Sequence, residues 1–248
     1  MAIDETYLSV LKSVLAQRDP DLVASTWTQT MCLSYPDLLV PGKVISNLFG
    51  AEITSELEVR SDGDQVKKYH SLPEDFGPLY ETESLFEKLR IKTDFIDVKK
   101  LRGPEKIVDL NEPLPPEYHQ AYDLVIDTGT LEHCFNVGNA FRSMCEMTKL
   151  GGVVITMAPM TIVNHGFWNF SPTAYFDGFD QNGFQLQFLQ GRTKDASGVQ
   201  MIDFGPRPTK RMIVPPEAVL MCVARRTSVE KFRWPVQSKY KAMLSTKT

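Results

Sequence analysis

Asp127, Thr128 and Gly129 follow directly on the apolar run Leu124, Val125 and Ile126, and His133 stands a short way beyond them. A carboxylate closing a β-rich run, followed by small residues that let a ligand approach the backbone, is how a parallel strand opens onto a binding crevice. The stretch Asp127 to His133 is therefore the first place to look for chemistry. A second imidazole, His165, lies in Asn164-His165-Gly166-Phe167-Trp168, after another apolar run. Its ring titrates near neutrality, so it suits a general base, with His133 as the other candidate. Phe167 and Trp168 could line an acceptor pocket beside it. Each residue also has a plainer use. Asp127 could cap the following helix or satisfy loop amides, and His133 could pack in the interior and bond a carbonyl. His165 could order its loop, and the two aromatics could pack that loop over the sheet edge.

The elements that must hold these residues alternate between strands and helices. Leu8, Leu11, Val14 and Leu15 recur at helical spacing, a second helix is expected from Asp21 to about Cys32, and a third from Val44 to Phe49. Glu56 to Arg60 reads as a short strand, Glu81 to Leu89 as a helix and Thr93 to Val98 as a strand. Asp94 and Asp97 should face opposite sides of that strand, and only the terminal Asp97 reaches a crevice. Glu105 to Leu110 is expected as a strand, then 122 to 127, a helix over about 137 to 149 and a strand over 153 to 158. Ser171-Pro172 opens a helix running to Asn182, as an N-cap with proline at the first helical position. Phe184 to Leu189 and Val219 to Ala224 read as strands, with Gln190 to Lys210 as a loop, a lid or a connection between antiparallel end strands. The order predicts an α/β fold with a doubly wound, mostly parallel sheet. It divides into an N-terminal helical extension over 1–50, a Rossmann-like domain over 51–234 and a flexible tail over 235–248.

The 248 residues can bury one sizeable core, and the apolar fraction of 42% is ordinary for a globular chain. No apolar run approaches the ~20 residues that span a bilayer, and the acidic, amphipathic start does not read as a secretory signal. Cys32, Cys134, Cys145 and Cys222 show neither paired nor metal-ligand spacing, so reduced thiols in the cytoplasm are expected and no metal. A net charge of −4 argues against nucleic acid as the main partner. The late concentration Arg207, Lys210, Arg211, Arg225, Arg226, Lys231 and Arg233 reads as solvated surface. The N-terminal helices could cover the active site or form a homodimer contact, and their pattern does not choose between these.

YDLVIDTGTLEH, the KLGG turn and the strand VVITMAPM together resemble the second half of an S-adenosylmethionine-dependent methyltransferase of the Rossmann-like class I superfamily. VNHGFWNFSPTAYFDGFDQNGF resembles a subgroup acting on small molecules or sugars, and the resemblance covers roughly positions 90 to 190. It implies S-adenosylmethionine as cofactor, with Asp97 on the ribose hydroxyls and Asp109, Leu110 and Asn111 bordering the adenine. Asp127, Thr128 and Gly129 would then line the methionine part, and His133 would be the family's frequent LEH histidine. It implies methyl transfer to an oxygen or nitrogen of a small acceptor, with His165 or His133 removing the proton. The pattern departs at one place. The family's glycine-rich loop after the first strand corresponds to LEVRSDGDQ, where Gly63 is the only glycine and Glu58 the acidic remnant. A remodelled pocket running another reaction, such as a cyclisation, or a non-catalytic partner, is the alternative this departure raises.

Overall fold

Leu124, Val125 and Ile126 are all buried, as a continuous apolar run requires of a strand covered on both faces. The period-2 alternation divides them: Val125 packs into one core, Leu124 and Ile126 into another. In the computed structural model, which describes residues 2–18, 28–195, 198–205, 207 and 210–245, these two cores lie on opposite faces of one sheet. Its strands are β1 (Thr28–Cys32), β2 (Ile91–Asp97), β3 (Lys106–Ile107), β4 (Tyr122–Asp127), β5 (Thr148–Pro159), β6 (Phe184–Asp195), β7 (Gly198–Asp203) and β8 (Val219–Arg226). The spatial order is β3-β2-β1-β4-β5-β8-β6-β7. The first five are parallel, β8 is antiparallel to both β5 and β6, and β6 and β7 form an antiparallel hairpin. The chain order reverses between β1 and β4, and such a switch point is where doubly wound sheets bind ligands. The Rossmann-like α/β expectation holds.

Helices α1 (Glu5–Arg18), α2 (Gly42–Phe49) and α5 (Thr82–Lys88) cover one face, with Tyr7, Leu8, Leu11, Ile45, Leu85 and Phe86 in its core. Helices α6 (Val137–Met147) and α7 (Pro172–Asp180) cover the other, with Met144, Tyr175 and Phe179. The short α3 (Ala51–Ser55) and α4 (Gly63–Tyr69) sit between β1 and β2, and α8 (Ser238–Ser245) lies near the C-terminus. Asn136 caps α6 by accepting from the Asn139 amide, and Ser171 caps α7 by accepting from the Thr173 amide, as its Ser-Pro start predicts.

Several expectations are corrected. Thr28–Cys32, expected as the end of a helix, is β1, and the remainder of that helix, 21–27, lies outside the described residues. A five-residue segment with two threonines satisfies either period, and parallel partners on both sides decide for strand. Residues 1–50 are thus not a purely helical extension, because they supply a central strand. Glu56 to Arg60 is not the first sheet strand: Val59 makes only an isolated bridge to Tyr80. Glu58 and Gly63 therefore do not follow the strand at the switch point. Glu58 is exposed, and Gly63 is buried at the start of α4. The loop that does follow β1 is Leu33-Ser34-Tyr35-Pro36, without glycine. Residues 105–110 contribute only the two residues of β3 to the sheet, and part of the tail expected to be flexible forms α8. Of the three options for 190–210, the antiparallel connection is realised through β6 and β7.

A partly buried polar staple ties the α3–α4 insertion to the rest. Arg60 donates to Asp37 and, at 2.8 and 2.9 Å, to Asp62, while Arg102 donates to Asp62 at 2.7 Å and to Glu81 at 2.8 Å. The hydrogen bond from Arg60 leads in holding the Asp62 carboxyl at about 2, below its ordinary 3.8. A depressed carboxyl contributes stability that is present above its unfolded value and lost as pH falls through the folded one. Asp62→Asn is expected to flatten the loss of thermal stability between about pH 4 and pH 2. Melting curves at stepped pH check this, and an unchanged acid slope refutes it.

Candidate active site

The Asp127 carboxylate is fully buried and is spent on the turn that follows β4. Its Oδ1 accepts from the backbone amides of Gly129 at 3.2 Å and Thr130 at 2.7 Å, and its Oδ2 accepts from Thr156 Oγ1 at 2.6 Å. Gly129 takes φ +105°, open to glycine and strained for other residues. Thr130 Oγ1 then donates to the Leu33 carbonyl at 2.6 Å, closing the turn onto the loop after β1. Asp127 thus shapes the switch point from beneath, in the plainer role, and Thr128 beside it is buried too.

The Asp97 carboxylate, at the end of β2, is half-buried and makes no hydrogen bond or ion pair with any described residue. Asp94 is instead occupied, accepting from Tyr122 at 2.7 Å and pairing with Lys106 at 2.8 Å. Asp109 accepts from the Asn111 amide and side chain, both at 2.8 Å. Asn111 Oδ1 accepts from the Asn136 amide at 2.8 Å, and Asn139 donates to the Leu110 carbonyl at 2.9 Å. The segment Asp109 to Asn111 is thereby fastened to the start of α6. Burial, and then the charges of Asp127, Asp109, Glu132 and Asp97, push the Cys134 thiol up to about 12. The carboxylates of Asp127, Asp109, Glu132 and Asp97 thus lie within electrostatic reach of Cys134, and an acidic neighbourhood of this kind suits a cationic ligand.

The turn Leu131–His133 sends Leu131 into the core and turns Glu132 inward, leaving it 1% exposed. Glu132 Oε1 lies 3.4 Å from His165 Nε2 and 4.0 Å from His133 Nε2, while the buried Oε2 has no partner among the described residues. The two rings stand 5.2 Å apart and are open to solvent on one side. Burial, and next the charge of Asp127, push the Glu132 carboxyl up to about 8. Burial also raises Asp127, and its hydrogen bonds from Thr156 and the Thr130 amide oppose the rise. Burial and then the His165 charge lower His133.

The loop carrying His165 is held to this turn. The Phe167 amide donates to the Glu132 carbonyl at 2.8 Å, and Trp168 Nε1 donates to the Cys134 carbonyl at 3.1 Å. A Cβ on Gly166 would stand 2.8 Å from the Glu132 carbonyl oxygen and 2.9 Å from its Cγ. Gly166→Ala is expected to cost about 1–2 kcal/mol and to move His165 away from Glu132. Thermal melts together with the histidine ring resonances read both effects, and an unperturbed spectrum refutes the second. Phe167 and Trp168 remain exposed and, with Phe135, form an aromatic wall, Phe135 meeting Phe167 edge to face at 5.4 Å. His133, His165, Phe167 and Trp168 are thus brought together, Asp97, Asp109 and Asn111 stand at the neighbouring strand ends, and Glu58 and Gly63 belong elsewhere.

Glu132 and Phe135 escaped the sequence reading. The signal for Glu132 was its place in LEH beside the histidine, but an acid after Leu131 is expected to face water, and only the tight turn reverses that. A separate cavity of about 680 Å³ lies between Met160, Ser171, Phe176, Phe204, Arg207 and Arg211 and includes none of these residues.

No family model and no curated protein matches this sequence. Among solved structures, the chain is similar to the 4+2 cyclase SpnF, at 9% identity and TM-score 0.41, covering 89% of this chain and 81% of that one. It is similar to the N-methyltransferase NodS of Bradyrhizobium japonicum WM9, at 10% identity and TM-score 0.42, over 90% and 97%. A third is the CMeT domain of the citrinin polyketide synthase, at 11% identity and TM-score 0.46, over 91% of this chain and 52% of that one. No residue role passes from these proteins to this chain.

Proposed function

We propose that the chain is an S-adenosylmethionine-dependent methyltransferase acting on an oxygen or nitrogen of a small metabolite or sugar-derived acceptor. The observation that carries this reading is the Asp97 carboxylate, uncommitted among the described residues at the end of β2 beside β1, in an acidic neighbourhood shared with Glu132. A carboxylate with two uncommitted acceptor oxygens fits a pair of ribose hydroxyls, and the acidic surroundings fit a sulfonium cation. When bound, the cofactor supplies a methyl group on a positively charged leaving group. The chain has then to align the acceptor, exclude water and accept one proton.

Asp97 holds the ribose, the segment Asp109 to Asn111 borders the adenine, and the Thr128–Gly129 turn lies along the methionine part. Phe135, Phe167 and Trp168 receive the acceptor, and its proton is lost at the cluster, where His165 is the expected base. The partner is a small molecule rather than nucleic acid. Four free, buried cysteines support a reducing, cytoplasmic setting. A homodimer through the N-terminal segment belongs to the same proposal. Calorimetric titration with S-adenosylmethionine and S-adenosylhomocysteine tests the reading: micromolar binding is expected, and no heat with either ligand sinks it.

One observation favours a second reading, a remodelled pocket running a reaction other than methylation. The loop after β1 has no glycine, and its Tyr35 ring lies 4.8 Å from Phe95 and beneath the Arg102 guanidinium at 5.3 Å. Binding of the cofactor without formation of S-adenosylhomocysteine across a panel of hydroxyl and amine acceptors would select it.

A further inference from the structure

We propose that Glu132, His133 and His165 together bind one divalent first-row transition-metal ion, of the zinc or manganese class, with its open positions facing the aromatic wall. The inference rests on the acceptor reading of this same cluster and revises the expectation of no metal. The three side chains offer one carboxylate and two imidazole ligand atoms, all within 4.8 Å of one another. Ligand atoms around a tetrahedral zinc, at bond lengths near 2.0–2.1 Å, stand about 3.3 Å apart. His165 Nε2 and Glu132 Oε1 are already at 3.4 Å, and His133 Nε2, at 4.0 Å from the same oxygen, has about 0.7 Å to close.

A simple histidine and carboxylate ion pair does not account for the site. Such a pair leaves Glu132 Oε2 buried without a donor, a position that ordinarily costs free energy. A cation against the carboxylate removes that deficit, since both oxygens can share it. The surroundings make room for the arrangement: a Cβ on Gly129 would stand 2.8 Å from Oε1, and one on Gly166 would meet Glu132 directly. The bond from the Phe167 amide to the Glu132 carbonyl fixes the loop that brings in His165, so the ligands come from two segments locked to each other.

Two imidazoles and one carboxylate suit zinc, manganese or iron better than calcium or magnesium, which take all-oxygen sets. Three protein ligands leave positions for an outside group, the pattern of catalytic rather than structural sites. The two half-exposed rings stand within two residues in sequence of Phe135 and Phe167, which with Trp168 form the aromatic wall. An acceptor hydroxyl held there would meet a Lewis acid that makes it more acidic, its proton passing to solvent water at the exposed side of the site, and the imidazoles would then serve as ligands instead of bases.

The test uses the full chain, stripped with chelator and dialysed, and titrated by calorimetry with Zn²⁺ and, separately, Mn²⁺. One equivalent bound at micromolar affinity or tighter is expected for at least one of these ions. The double variant His133→Asn, His165→Asn alters only half-exposed side chains and should stay folded by circular dichroism. It is expected to lose more than about 100-fold in affinity. Glu132→Gln should show a similar loss, and if it fails to fold the double histidine variant decides alone. Absence of binding by both ions, or equal affinity in the double variant, overturns the proposal. Titration of the same chelated protein with S-adenosylmethionine keeps the two readings apart, because cofactor binding without metal binding sinks only the metal site.

Discussion

Asp127→Ala is expected to lower the stability of the folded protein by about 3 kcal/mol, read as a shift in urea midpoint at constant slope. The carboxylate satisfies two backbone amides of the turn and the Thr156 hydroxyl, and all three donors lie in or beside the buried core. Each donor left unpaired there costs about 1–3 kcal/mol, so their sum exceeds the net figure. Relief from burying Asp127 beside Glu132 offsets part of that sum, because each carboxyl raises the free energy of the other's ionised form. Asp127→Asn keeps an acceptor oxygen for the turn and should fall between the variant and the parent. A change below about 1 kcal/mol for the alanine variant would mean that the turn holds without its carboxylate.

Asp97→Ala is expected to weaken S-adenosylmethionine by about 30-fold, or about 2 kcal/mol, while leaving stability nearly unchanged. The two halves of this expectation have one cause. The Asp97 carboxylate bonds no described residue, so nothing folded depends on it, and its oxygens are available to a ligand. A paired cofactor hydroxyl would contribute through charge-assisted hydrogen bonds, and truncation would remove both at once. Calorimetry on the folded variant measures the shift. Unchanged affinity with intact folding would move the ribose away from the end of β2.

Much of the sheet was legible in local pattern. The runs 122–127 and 153–158 are apolar and β-rich because both faces of those strands are covered, and the helix between them carries its own cap at Asn136. The turn after β4 was legible as well, since Thr128-Gly129-Thr130 has no other conformationally easy use at a strand end. The identity of the first strand was not. Thr28–Cys32 is too short and too mixed for its period to choose helix or strand, and Glu56 to Arg60 has the stronger alternation yet finds no partner strand among the described residues. With that register misplaced, Glu58 and Gly63 were drawn into a site they do not reach.

The sequence by itself determined the strands over 122–127 and 153–158, the Ser171-Pro172 start of α7 and the strand-end position of Asp97. Only the tertiary structure decided which carboxylates face the crevice and which serve the turn. Asp127 and Glu132 are both acidic residues near one strand end, yet one is consumed by three donors and the other is buried with an oxygen unmatched beside two imidazoles. That difference arises from contacts between segments distant in sequence, Thr156 with Asp127 and the His165 loop with Glu132. Local periodicity records which side of an element is apolar, and it holds no information on what a polar side chain meets across the fold.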